Sequence, residues 1–147
     1  MSGDAPGAPG AEGAGDADLT ASERYERGMA VRREVLGHEH VDRATAAATD
    51  FTTEWQEFIT RTAWGDVWTR PGLARRERSI AVLSSLIAHG HHEEFAMHVR
   101  AALRNGLSRE EIGEVILQAA IYSGVPAANT AFRIAQRVFA ELDLDEG

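Results

Sequence analysis

The residues best suited to chemistry lie in one stretch, His89-Gly-His-His-Glu-Glu-Phe-Ala-Met-His98. At about 100° per residue, Glu94 and His98 stack one turn apart on a helix, with His91 just below and Phe95 and Ala102 on the same side. Glu93, Arg100 and Arg104 face solvent. An acid and an imidazole on or beside an apolar stripe cost free energy unless something pairs with them. Metal binding would draw on His89, His91, His92 and His98. A helical two-ligand site, however, normally uses Glu-x-x-His or His-x-x-x-His with further ligands elsewhere, and no second helix repeats the motif. Acid–base use fits better, because imidazole titrates near neutrality and a neighbouring carboxylate fixes its tautomer and raises its basicity. A buried or subunit-interface polar pair is the purely structural alternative.

Composition narrows the classes. The 147 residues suit one domain. With no cysteine there is no disulfide, thiolate ligand, peroxidatic thiol or cysteine nucleophile. A net charge of -8 and a pI near 5.2 argue against a nucleic-acid binder, whose phosphate contacts need a basic surface. No signal peptide or membrane span is evident, so a cytoplasmic protein without membrane partners is expected.

The elements that must hold the stretch all read as helices. Residues 1–21, rich in Gly, Ala, Pro and Asp, have little to bury and are expected to be a disordered tail. Residues 22–147 then form a single domain. Ser22 is placed to cap a helix through Leu36, ended by Gly37. Its apolar face (Tyr25, Met29, Val31, Leu36) is incomplete and flanked by Arg24, Arg27, Arg32 and Arg33. His38-Glu-His40 reads as a loop, and 41–50 is ambiguous. Asp50 or Thr52 starts a helix carrying Phe51, Trp55, Phe58, Ile59 and Thr62. A turn-rich link follows from Trp64 to Gly72, in which Trp64 and Trp68 could wall a pocket.

Leu73 to His89 predicts a helix buried most of the way round. It enters through Arg75, Arg76 and Arg78, a solvated cluster or an arginine clamp for carboxylates. The helix bearing His98 runs to Asn105. Ser108 and Glu111 form a capping box before a stripe of Ile112, Val115, Ile116, Ala119 and Ala120. Pro126 suits the first turn of the last helix, and the closing Leu-Asp-Leu-Asp-Glu-Gly should fray. Nothing alternates at period two, so the fold class is all-α with roughly six helices.

The segment TRPGLARRERSIAVLSSLIAHGHHEEFAMHVRAALRNGLSREEIGEVILQAAIYSGVPAANTAFRIAQ closely resembles the 4-carboxymuconolactone decarboxylases of the protocatechuate branch of the β-ketoadipate pathway. HVRAALRNG and AAIYSGVPAANTAFRIAQ are its most specific pieces. The wider superfamily is alkyl hydroperoxidase D-like and carries Glu-x11-Cys-x2-Cys-x3-His. On that spacing His98 matches the histidine, Glu94 and His91 stand in place of the cysteines, and Ser79 replaces the glutamate. A thiol peroxidase mechanism therefore cannot operate. Ser123 stands where many close relatives would carry cysteine.

The resemblance implies a compact alkyl hydroperoxidase D-like helical domain and decarboxylation of a small dicarboxylate lactone to 3-oxoadipate enol-lactone. It implies no metal or organic cofactor, because the lactone is its own electron sink, and a homo-oligomer, a hexamer. Its chemistry assigns His98 as proton donor held by Glu94, and Arg76 and Arg78 as carboxylate clamps ahead of Arg75. Tyr122 or Trp64 would donate toward the oxyanion. Two alternatives stand beside it. One is a diverged relative acting on another lactone or keto acid. The other is a non-catalytic helical module, in which His98 would be packed shut with no arginine facing it.

Overall fold

The computed structural model describes residues 18–147, so residues 1–17 of the expected tail lie outside it. The chain folds as α1 (Ala21–Leu36), α2 (His38–Ala46), α3 (Thr53–Ile59), a π-helical segment (Thr60–Val67), α4 (Arg75–His89), α5 (His92–Arg104), α6 (Arg109–Ser123) and α7 (Val125–Asp145). No strand occurs among the described residues. The helix added to the expected six is α2: His38 and His40 open a helix directly after Gly37 rather than sitting in a loop.

Two apolar cores share one helix. Leu83, Ile87, Phe95, Val99, Ile112, Ile116, Ala131 and Val138 join α4, α5, α6 and α7. Met29, Val35, Leu36, Val41, Trp64 and Ala101 join α1, α2, the π segment and the other side of α5. The helix that carries His98 is therefore the wall between them, which explains why a polar residue there is enclosed.

Local chemistry sets the helix ends. Ser108 and Glu111 make the expected capping box. α1 is capped by Thr20 instead of Ser22: the Thr20 hydroxyl accepts from Glu23 N at 3.2 Å, and the Glu23 carboxylate accepts from Thr20 N at 2.8 Å. This box satisfies two orphan N–H groups where Ser22 could satisfy one. Gly90, with φ of 70°, turns the chain between α4 and α5 in the left-handed region that glycine tolerates.

Three expectations are corrected. α4 buries only Ser79, Leu83 and Ile87, a stripe at period four, because its neighbours α5, α6 and α7 cover one side. The expected link beginning at Trp64 is helical through Val67, as a widened π helix. The last helix continues to Asp145 rather than fraying from Leu142, its final turns tied down by the Arg109–Asp143 and Arg100–Glu141 pairs.

The π segment lies against α1 almost backbone to backbone. A Cβ at Gly28 would stand 2.0 Å from the Thr60 carbonyl oxygen, and one at Gly65 2.5 Å from the Arg24 carbonyl oxygen. Only glycine permits that approach at both places. Arg24 pairs with Asp66 alongside.

Candidate active site

His98 projects from α5 toward the π segment and is 9% exposed. Its ring lies beside two indoles. The Trp64 centroid is 6.4 Å away with planes 7° apart, the Trp68 centroid 6.3 Å away with planes 17° apart, and the indoles stack on each other at 5.1 Å. Trp64 and Trp68 are four positions apart, so the helical turn between them brings both rings to one side. π turns of this kind are frequent at functional sites.

His98 Nδ1 is buried without a hydrogen-bond partner. Burial pushes the imidazole down to about 4, with His40 acting in the same direction, against the upward pull of the Glu94 carboxylate. Glu94 does raise the basicity of His98, as the sequence reading has it, but burial outweighs that pull. Glu94 is exposed in the first turn of α5, where it also suits the helix dipole, and its charge reaches the ring too weakly to offset desolvation.

The other sequence-predicted residues separate. Trp64 is brought to His98. Arg76 forks onto Glu111 at 2.6 and 2.7 Å, and that pairing holds the carboxyl well below its usual range. Arg78 donates to the Arg70 carbonyl at 2.9 Å, and Arg75 pairs with Glu34 at 2.6 Å. Tyr122, at the end of α6, is 82% exposed. Ser79, in the place of the superfamily glutamate, is fully buried and accepts from Asn105 Nδ2 at 2.9 Å. His89 and His91 stack on one another at 5.9 Å. Among the described residues no three His, Asp or Glu side chains gather as a metal site.

Two further residues, to which sequence reasoning gave no part in the site, are His40 and Arg32. His40 is half-buried at the start of α2, and burial together with the charges of Arg32, Arg43 and Arg104 holds its imidazole below the ordinary value. It lines a cavity of about 540 Å³ with Arg43, Met97 and Arg104, and Met97 packs on the core that contains Trp64. Arg32 is 6% exposed. The sequence signal for it was position: Tyr25, Gly28, Met29, Arg32 and Leu36 share one face of α1 at helical spacing, so this arginine falls in the apolar stripe.

Comparison with known proteins follows the same boundaries. The model of the carboxymuconolactone decarboxylase family matches residues 53–137, from α3 into α7. A 4-carboxymuconolactone decarboxylase of Acinetobacter baylyi is 44% identical over 126 residues, covering 86% of this chain and 94% of the relative. The chain belongs to the carboxymuconolactone decarboxylase family. A nitrosuccinic acid decarboxylase of Metarhizium robertsii is 41% identical over 123 residues, 84% of this chain and 85% of the relative. A 4-carboxymuconolactone decarboxylase sequence of Pseudomonas putida, 48 residues matched over its whole length, is 57% identical and covers 33% of this chain. The family match spans α5, the π segment and both tryptophans, so the His98 site falls inside it.

Proposed function

We propose that this protein decarboxylates 4-carboxymuconolactone to 3-oxoadipate enol-lactone in protocatechuate catabolism, with His98 as the group that moves the proton. The observation that carries the assignment of His98 is its unpartnered Nδ1 beneath two indoles. Most buried side-chain nitrogens are paired, so an orphan one on His98 points to a position kept for more than packing. The 44% identity to a relative of that name over most of both chains supports the substrate.

The chemistry asks little of the protein beyond a dry, cationic, proton-bearing site. The bond between the ring carbon and its carboxylate breaks, carbon dioxide leaves, and the electron pair passes through the ring double bond onto the lactone carbonyl oxygen. A proton then adds at ring carbon. The scheme uses no metal or organic cofactor, because the lactone carbonyl receives the electrons. Neutral in the free protein, His98 gains a proton when a dianionic substrate arrives, because adjacent negative charge favours imidazolium. It delivers that proton to carbon and is recharged from solvent. Glu94 biases the ring in the same direction. Trp64 and Trp68 shield the ring from water, Trp68, half-buried, being the more exposed of the two.

The Metarhizium relative favours a second reading, decarboxylation of another small diacid at the same site. For a non-catalytic module, His98 under its indoles is the supporting feature and its orphan nitrogen the opposing one. Following the ultraviolet absorbance of enzymatically generated carboxymuconolactone separates these readings. No loss of substrate above the spontaneous rate ends the favoured one.

We also propose a homo-oligomer, a hexamer. Leu117, Ile121, Tyr122 and Val125 are 53–82% exposed around the α6–α7 junction, a contiguous apolar surface of the kind that marks an interface. Light scattering that gave a monomer would overturn it. No helix among the described residues is long and apolar enough to cross a membrane, in keeping with a cytoplasmic enzyme.

A further inference from the structure

Arg32 sits inside the protein without a counter-charge. Its Nη1 donates to Thr60 Oγ1 at 3.1 Å and its Nη2 to Gln56 Oε1 at 3.0 Å, both neutral oxygens, and its Nε is buried with no partner. The other arginines of α1 differ: Arg24 and Arg27 have Asp66, and Arg33 has Asp42. A guanidinium removed from water and left without a carboxylate is costly to keep. It is retained where something else needs it.

That something has room. Arg32, with Tyr25 and Met29 of α1, Thr45 of α2 and Gln56 of α3, lines a cavity of about 250 Å³, large enough for a small organic acid. Glu57 also borders it, but its carboxylate lies 3.8 Å from Arg61. The cavity and the His98 site draw on the same elements, α1 and the π segment, while His98 and its two indoles do not line the cavity. Thr60 and Trp64 are one turn apart on the π segment, and Met29 packs in the core with Trp64.

We propose that Arg32, lining this cavity between α1, α2 and α3, binds a carboxylate of the substrate. Thr60 and Gln56 each take one proton of the guanidinium and hold its plane in place, which leaves the second proton on each Nη for a carboxylate to accept, while Nε stays sealed in the protein. The inference rests on the decarboxylase reading only for which acid enters. The preference for a carboxylate rests on Arg32 itself.

The test pairs kinetics with ligand-dependent stability, using Arg32→Met in the full chain. With carboxymuconolactone, KM should rise roughly 10- to 100-fold, the worth of a hydrogen bond to a charged group. The thermal midpoint should be unchanged or higher, because an unpaired buried charge has been removed. Succinate should raise the midpoint of the wild type relative to sodium chloride at equal ionic strength, and should not raise that of the variant. An unchanged KM, an unchanged succinate response in the variant, or no succinate response in the wild type overturns the proposal. If Arg32→Met does not fold, Arg32→Lys takes its place. It keeps the charge and loses the fork, and it must show a raised KM and a weakened succinate response for the proposal to stand. If the wild type leaves the lactone untouched, the decarboxylase reading fails while the succinate comparison still decides on Arg32.

Discussion

The imidazole of His98 lies nearly parallel to the indole of Trp64, 6.4 Å between ring centroids and 7° between planes. Trp64 is 7% exposed and belongs to the core shared by α1, α2 and α5, whereas Trp68 is half-buried on the outer side. One indole fixes the ring and the other covers it.

Trp64→Ala should therefore destabilise the fold by about 3 to 5 kcal/mol, as for other buried large-to-small changes. Trp68→Ala should cost far less. It should also let water reach His98 and return its imidazole toward the ordinary range, read from the pH dependence of the His98 ring proton by NMR. A ring that still titrates near pH 4 in Trp68→Ala would contradict the covering role.

Stability should fall with acid in a window set by His98. Its folded value is about 4 against about 6.5 for an exposed histidine, so the unfolded chain binds the proton first. The contribution is complete above pH 6.5 and is lost as pH falls through 4, on the order of 3 kcal/mol in total. Asp66, Glu111 and Asp143, held low by arginine partners, add their losses only below the ordinary carboxylate range. Urea titrations at several pH values should show the slope between pH 6.5 and 5 in the wild type and a clear reduction of it in His98→Leu, the remainder coming from His40, whose imidazole is also held low.

His98→Ala should lower kcat by about 10²- to 10⁴-fold, the range for a lost general acid. Glu94→Gln should have a smaller effect with the same sign, since an exposed carboxylate only tunes the ring. Wild-type turnover in both folded variants would falsify the assignment of His98 and Glu94.

Gly28→Ala should destabilise by about 3 kcal/mol or more, because the added carbon meets the Thr60 carbonyl at 2.0 Å and backbone cannot step aside as a side chain can. Gly72→Ala, with open space around the position, is the control and should be near neutral in denaturant unfolding.

The all-α class, the α6 capping box and the α6 stripe were legible because each depends on residues within a few positions of one another. His98 was legible as a polar residue on an apolar face. The arginine proposed to take a carboxylate was not. Sequence offers a cluster at Arg75, Arg76 and Arg78, yet these settle on Glu34, the Arg70 carbonyl and Glu111, partners set by tertiary packing. Arg32 looks like one of four charges on a marginal helix until α3 and the π segment close over it. The exposed Phe51, Trp55 and Phe58 of the α3 region make the same point. Helical spacing identifies a face, and only the packed neighbours determine what covers it.

Placing two of the chain's three tryptophans against one histidine gives the protein an optical reporter of its own. Imidazolium quenches indole emission far more strongly than imidazole does, and Trp55 is remote enough in environment, at 58% exposed, to emit as a red-shifted background. A blue-shifted component that dims when a carboxylic acid is added at constant pH would register the proton arriving on His98 in real time, without label or coupled assay.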